Sequence, residues 1–143
     1  MRISNLIGFK KKNIKKVHST YLDELLKMVK KGKIVDNKKK FKDFLGIQIF
    51  SKIIHLVIKK KIVGTYNVSI GEKIYLNEIN KWILKYYKKK NNLKIIKYKN
   101  DNKNESFYLN NYKLKKNINL KITKKSLKKE CLILSKKLFN RNQ

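Results

Sequence analysis

Apolar residues recur along this chain at spacings that predict alternating strands and helices. Short extended runs are expected near residues 2–8, 33–35, 41–47, 64–70 and 93–98. Apolar positions three or four residues apart predict four longer helices between and after them. The first begins at Ser19 or Thr20, the second spans about 48–60, the third ends at about Tyr87, and the fourth begins at Thr123 or Ser126. Strands that alternate with helices are typical of an α/β protein.

The chain is organised around residues 64–79, which predict a short buried strand, a glycine turn and a helix. Thr65, Tyr66 and Val68 favour an extended backbone. Gly71 can adopt a turn conformation that is closed to other residues. The following apolar positions recur at helical spacing: Leu76, Ile79, Ile83 and Tyr86.

Two helix starts differ in their capping signals. Ser19 or Thr20 can cap the first helix, and the acidic Asp23 and Glu24 would lie near its positive dipole end. The second helix has no acid in its first turn, where Gln48 stands. We therefore expect the second helix to lack a cap.

Four segments, taken in order, resemble the extended short-chain dehydrogenase/reductase family, which contains the NAD-dependent epimerases, dehydratases and reductases of nucleotide sugars. Residues 2–8 resemble its Arg-x-Ser-Asn-x-x-Gly strand, and residues 41–47 resemble its Arg-Asp-Phe-Ile-x-Val segment. Residues 64–72 resemble Gly-x-Tyr-Asn-Val-x-x-Gly-Glu, and residues 106–114 resemble a late segment in which Asn110 replaces the usual Asp.

The resemblance implies an α/β fold, with a partial Rossmann-like sheet and the small substrate-binding subdomain of that family. It implies that the strand at 2–8 lies deep in the sheet, so that Ile3 and Tyr66 occupy adjoining parts of a single sheet. We expect one domain over residues 1–143, which corresponds to the carboxyl-terminal half of the family fold. The amino-terminal dinucleotide-binding part is expected to be absent.

The chain lacks two signatures of the family, the glycine-rich dinucleotide-binding turn and the catalytic Tyr-x-x-x-Lys pair. Its five glycines are too dispersed for a dinucleotide-binding turn. Tyr86–Lys90 and Tyr112–Lys116 match the spacing of the catalytic Tyr-x-x-x-Lys pair, but in so lysine-rich a chain we interpret both as chance. The complete family enzymes use NAD or NADP, whereas we expect this chain alone to bind neither and to have no catalytic residue. Whether it is an enzyme stays open.

The candidate substrate-binding residues are Asn5, His18, Lys42, Asn67 and Ser69. Asn67 and Ser69 lie near the end of the central strand, where α/β sheets place ligands, and His18 precedes a helix start, where it could meet a phosphate. The resemblance implies that Asn5 lines the cleft and that Lys42 stands where the family has an arginine that contacts the nucleotide diphosphate. Lysine keeps the charge but loses the bidentate geometry. Each residue also has a structural interpretation, as a turn residue, a cap or a solvated cation.

Other polar residues have structural interpretations. Asp43 is expected to fix the local backbone or pair with a cation. Two distant histidines and one cysteine do not make a metal site. Because Cys131 is the only cysteine, no internal disulfide can form, which fits the reducing cytoplasm. No apolar run is long enough for a transmembrane helix.

The net charge of +30 has two explanations. A nucleic-acid partner or an acidic surface would select for it. Coding bias would also produce it, because nearly all the cations are lysines spread along the whole chain. In either case we expect weak, salt-sensitive attraction to phosphates.

Three functional hypotheses therefore remain. The first is the carboxyl-terminal portion of a nucleotide-sugar epimerase, dehydratase or reductase. Its gene is then either split, with a separate polypeptide for the other half, or degraded, or the sequence is truncated. The second is a small basic RNA- or DNA-binding protein. The third is a folded remnant that binds neither ligand.

Overall fold

The computed structural model describes residues 1–8, 19–36, 38–97 and 106–140. The predicted ligand residue His18 lies outside the described residues.

Strands and helices alternate along the described residues, as the apolar pattern predicts. The strands are β1 (Arg2–Ile3), β2 (Asn5–Ile7), β3 (Lys33–Asp36), β4 (Phe41–Lys42), β5 (Phe44–Gly46), β6 (Asn67–Val68), β7 (Ile74–Tyr75) and β8 (Lys94–Lys97). The helices are α1 (Tyr21–Lys30), α2 (Ile47–Lys59), α3 (Leu76–Ile83), α4 (Tyr112–Asn117) and α5 (Lys124–Phe139), with a 3₁₀ turn at Lys90–Asn92.

The described strands pair two by two. Strands β1 and β6, β2 and β5, and β3 and β8 are parallel, whereas β4 and β7 are antiparallel. In the first pair Ile3 lies opposite Val68, and the Arg2 amide donates to the Tyr66 carbonyl at 2.8 Å. The expectation that Ile3 and Tyr66 adjoin in one sheet is confirmed.

The first strand segment lies between two partners. The Ser4 amide donates to the Val68 carbonyl at 3.1 Å, whereas the next amide, that of Asn5, donates to the Asp43 carbonyl at 3.3 Å. Because successive N–H groups of an extended chain point to opposite edges, β6 and β5 lie on opposite sides of residues 2–7. Asp43 is thereby placed beside the centre of this strand.

The core lies between these strand pairs and the helices. Its fully buried members come from β5, α2, β6, β7, α3, α4 and α5, and include Phe44, Leu45, Ile53, Val68, Ile74, Ile79, Ile83, Leu114, Leu127 and Cys131. Burial of this apolar surface is the main force that holds the short strand pairs together.

Local capping signals in α1 are confirmed. The Thr20 hydroxyl accepts from the Asp23 amide, and the Asp23 carboxylate accepts from the Thr20 amide at 3.1 Å. Gly32 follows the helix with a φ of +68°, which glycine adopts without strain.

The expected loss of a cap at α2 is wrong, because a distant residue supplies one. Gly46 precedes the helix and offers no side chain. The Glu130 carboxylate of α5 accepts from the Gln48 amide at 3.0 Å and from the Ile49 amide at 3.1 Å. An anion at this position also interacts favourably with the positive end of the helix dipole.

Helix α3 ends at Ile83, not near Tyr87. The chain turns there while Leu84 stays in the core at 1% exposure. The Tyr86 amide, which would have continued the helix, donates to the Ser135 hydroxyl of α5 at 3.2 Å. A tertiary hydrogen bond thus replaces the last helical turn.

Candidate functional site

The carboxylate of Asp43 joins three segments of the chain. This residue lies between β4 and β5 and is 0% exposed. Its oxygens accept from the amides of Ile70, Gly71 and Leu109, each at 3.1 Å. The prediction that Asp43 fixes the local backbone is confirmed.

Burial raises the pKa of the Asp43 carboxyl above its ordinary value, and the three backbone N–H groups and the Ser69 side chain oppose that rise. An ionised carboxylate only accepts hydrogen bonds, so it suits a position that faces three donors. The local structure therefore depends on an acid at this position.

A second buried polar residue, Asn111, completes the same turn. Its amide nitrogen donates to the carbonyls of Ser69 and Ile70, both at 2.8 Å, and the residue is 5% exposed. Gly71 lies against it with a φ of +78°, and a Cβ atom there would come within 2.7 Å of the Asn111 Cγ. Residues 69–71 are therefore held between Asp43 and Asn111.

The sequence pattern does not predict a role for Asn111. Its neighbour Asn110 departs from the family pattern, but spacing cannot distinguish one buried asparagine in a chain with many exposed ones. The role of Asn111 depends on the pairing of residues 69–71 with residues 109–111, and these two segments are distant in sequence.

Two predicted amide residues lie around this turn. The Asn5 side chain donates to the Asp43 carbonyl at 2.9 Å, and no described residue donates to its side-chain oxygen. The Asn67 side chain donates to the Asn110 carbonyl at 2.7 Å and is partly exposed. Both therefore have structural bonds, and direct contact with a ligand stays a prediction for both.

Ser69 is 0% exposed, and its hydroxyl donates to the Leu109 carbonyl at 3.1 Å. In this structure it positions the segment beside Asp43. Its assignment to substrate binding also stays a prediction.

Lys42 is half-buried in β4, next to Asp43 in sequence. Among the described residues, no carboxylate pairs with its ammonium group. An unpaired cation can bind an anionic ligand. Asn5 and Ser69 contact Asp43, and Lys42 precedes it in the chain. Asn67 is joined to Asp43 only through residues 109–110, and His18 lies outside the described residues.

The starts of helices α1, α2 and α3 do not fit the pyrophosphate of a dinucleotide. Such a group binds at an open helix N-terminus that follows a glycine-rich turn. The first turns of α1, α2 and α3 already hold carboxylates, those of Asp23, Glu130 and Glu78. A pyrophosphate would meet a like charge at each of them.

Other reactive groups do not assemble a second centre within the described ranges. No group of three histidine, cysteine or acidic side chains there could hold a metal ion. Cys131 is fully buried, and burial raises the pKa of its thiol to about 12 with a smaller contribution from the Glu130 charge. The thiol therefore stays protonated and is a poor nucleophile.

None of the described helices combines the length and apolar character needed to cross a bilayer.

Several solved structures are similar to this chain in fold. The UDP-N-acetylglucosamine 4-epimerase of Methanobrevibacter ruminantium M1, solved in complex with UDP-N-acetylmuramic acid, matches 98% of this chain with a TM-score of 0.72 and 16% identity. The dTDP-glucose 4,6-dehydratase of Bacillus anthracis str. Ames, solved in complex with NAD, matches 99% with a TM-score of 0.66 and 18% identity. A UDP-N-acetylglucosamine 4-epimerase of Bacillus cereus matches 93% with a TM-score of 0.64 and 18% identity.

This chain has a partial Rossmann-like α/β fold. The predicted fold class is confirmed, since the match extends over almost all of the chain. The chain spans 45%, 44% and 46% of the lengths of these three proteins. No known protein-family profile matches the sequence, and no curated protein matches it at a significant level.

Proposed function

We propose that this chain is the nucleotide-sugar-binding portion of an NAD(P)-dependent nucleotide-sugar epimerase, dehydratase or reductase. One observation supports the proposal: the segments that carry Asn5, Lys42 and Asn67 are hydrogen-bonded to one another around Asp43, and no described carboxylate pairs with Lys42. The fold likeness to an epimerase solved with a UDP-sugar supports it.

In this proposal each residue has a distinct part. The Lys42 ammonium binds the diphosphate as a point charge. The partly exposed amides of Asn5 and Asn67 can donate and accept hydrogen bonds toward the sugar. Ser69 and Asp43 act as positioning residues, because both are fully buried and bonded to the backbone of neighbouring segments.

The proposal assigns cofactor binding and proton transfer to another polypeptide or another part of the protein. The capped starts of α1, α2 and α3 support this, since none offers an open phosphate site. NAD or NADP would supply hydride transfer when bound there. We therefore expect the chain alone to bind a nucleotide sugar in the cytoplasm without converting it, and to gain turnover only with a dinucleotide-binding partner.

Calorimetric titration with UDP-N-acetylglucosamine tests the binding. At about 150 mM salt, long-range charge attraction is screened beyond about 8 Å, and we expect a saturable, micromolar affinity. Lys42→Ala should weaken it by about tenfold or more, as for a lost charged hydrogen bond. Lys97→Ala removes an equal charge from exposed β8 and should leave the affinity unchanged. Equal losses in both variants, or no binding, would contradict the proposal.

A further inference from the structure

Two aromatic side chains lie beside Lys73, and a third packs against one of them, on the surface formed by β4, β7 and residues 106–109. The Lys73 ammonium lies 5.0 Å from the ring centre of Phe41 and 5.9 Å from that of Tyr108. The Phe41 and Tyr75 rings are in edge contact, with their centres 6.0 Å apart. We call these four residues the aromatic cluster.

The strand register explains why these side chains meet. Phe41 lies opposite Tyr75 in the antiparallel pair, so both rings point to the same face. Lys73 precedes Tyr75 by two residues and shares that face, whereas Lys42 follows Phe41 directly and points to the other one. The aromatic cluster is therefore separate from the surface that holds Lys42.

The aromatic cluster is open to solvent and positively charged. Tyr75 is 39% exposed and Tyr108 is 48% exposed. The Glu78 carboxylate accepts from the Tyr75 amide at 3.3 Å and pairs with the Lys124 ammonium at 2.7 Å. No carboxylate among the described residues pairs with Lys73.

We propose that the aromatic cluster binds a nucleobase by stacking, with Lys73 at the attached phosphate. Exposed aromatic rings beside a cation suit a flat base that carries a negative charge. The ligand is therefore a nucleotide unit, either free or within a single strand. This inference is independent of the proposed function and holds or fails without it.

The test measures the affinity for uridine monophosphate and for ribose 5-phosphate, which has the phosphate but no base. It uses Lys42→Ala protein, so that the proposed sugar-nucleotide site does not contribute. We expect uridine monophosphate to bind at least fivefold more tightly, the lower end of what base stacking gives. Equal affinities for the two ligands would overturn the inference.

Variants identify the ring involved. Tyr108→Ala should remove at least fivefold of the affinity for uridine monophosphate, whereas Tyr108→Phe keeps the ring and should retain it. Tyr112→Ala removes a ring that is 70% exposed and lies outside the aromatic cluster, and should change nothing. Circular dichroism of each variant checks that the fold is intact. If Tyr108→Ala binds like its parent, the inference is wrong.

A short oligouridylate distinguishes the two sources of the base. Tighter binding of the oligomer than of the monomer, lost in Tyr108→Ala, assigns the aromatic cluster to single-stranded nucleic acid. Equal binding per site, also lost in Tyr108→Ala, assigns it to a free nucleotide. Oligomer binding that depends only on salt and is unchanged in Tyr108→Ala counts against both.

Discussion

The Glu130 carboxylate accepts the Gln48 amide at 3.0 Å, across 82 residues of sequence. It also accepts the Ile49 amide at 3.1 Å, so one side chain of α5 caps the start of α2. A Cβ atom at Gly46 would run into this carboxylate. The contact thus explains both the missing local cap and the glycine that precedes the helix.

Replacing this cap should destabilise the protein. Glu130→Gln keeps the shape but loses the charge and one acceptor, so we expect the free energy of unfolding to fall by about 1–2 kcal/mol. Urea unfolding measures the change. Lys129→Gln alters the neighbouring exposed residue and serves as the control. If the two variants are equally stable, the Glu130 cap contributes nothing.

Removing the Asp43 charge should weaken the turn at residues 69–71. Asparagine has one acceptor oxygen and directs an N–H₂ group toward backbone donors, so Asp43→Asn leaves at least one buried N–H without a partner. We expect a loss of about 1–3 kcal/mol at neutral pH, measured by urea unfolding. The exposed Glu72→Gln is the matched control and should lie within about 0.5 kcal/mol of the wild type.

The same pair of proteins gives a pH prediction. Because burial raises the pKa of Asp43, the folded protein binds its proton more readily than the unfolded chain. The stability contribution of this titration is full below the unfolded pKa of about 3.9 and is lost as the pH rises through the raised folded pKa. The stability advantage of wild type over Asp43→Asn should therefore shrink as the pH rises through this window. An advantage that grows there would mean that the folded pKa is lowered.

Alanine substitutions at Gly32 and Gly71 distinguish the cost of backbone strain from the cost of a steric clash. Gly32 and Gly71 both have positive φ values, +68° and +78°. A Cβ atom at Gly32 meets nothing within 4 Å, whereas at Gly71 it meets the Asn111 side chain at 2.5 Å. Gly32→Ala should cost about 1 kcal/mol of stability, and Gly71→Ala clearly more, because Asn111 must also move. Equal melting temperatures for the two variants would contradict the contact with Asn111.

The Cys131 thiol should be unreactive in the folded protein. It is fully buried, and its pKa is raised to about 12, so almost no thiolate exists at neutral pH. We expect one thiol to react with a disulfide reagent only at the rate of unfolding. Rapid labelling of native protein would show that α5 opens locally.

The features that were predicted correctly are local ones. The Thr20 cap and the strand, turn and helix at residues 64–79 each depend on neighbours a few residues apart. The resemblance to a known family added the pairing of β1 with β6, which no spacing could give.

The features that were missed depend on tertiary neighbours. The Glu130 cap joins α2 to α5, and the Ser135 hydroxyl ends α3 early by taking the Tyr86 amide. The bonds from Asn111 to residues 69 and 70 also connect distant segments. Side-chain pattern along one segment carries no information about which remote polar group will meet it.

We propose that Lys42, Asn5 and Asn67 face one nucleotide-sugar ligand. Nitrogen-15 NMR of the labelled chain, titrated with UDP-N-acetylglucosamine at about 150 mM salt, tests this most directly. We predict saturable shifts that are largest at the amides of these three residues and of their neighbours Asp43 and Ser69, with pyrophosphate alone reproducing only those near Lys42. Small, unsaturated shifts spread over the surface lysines, with none around Asp43, would contradict it.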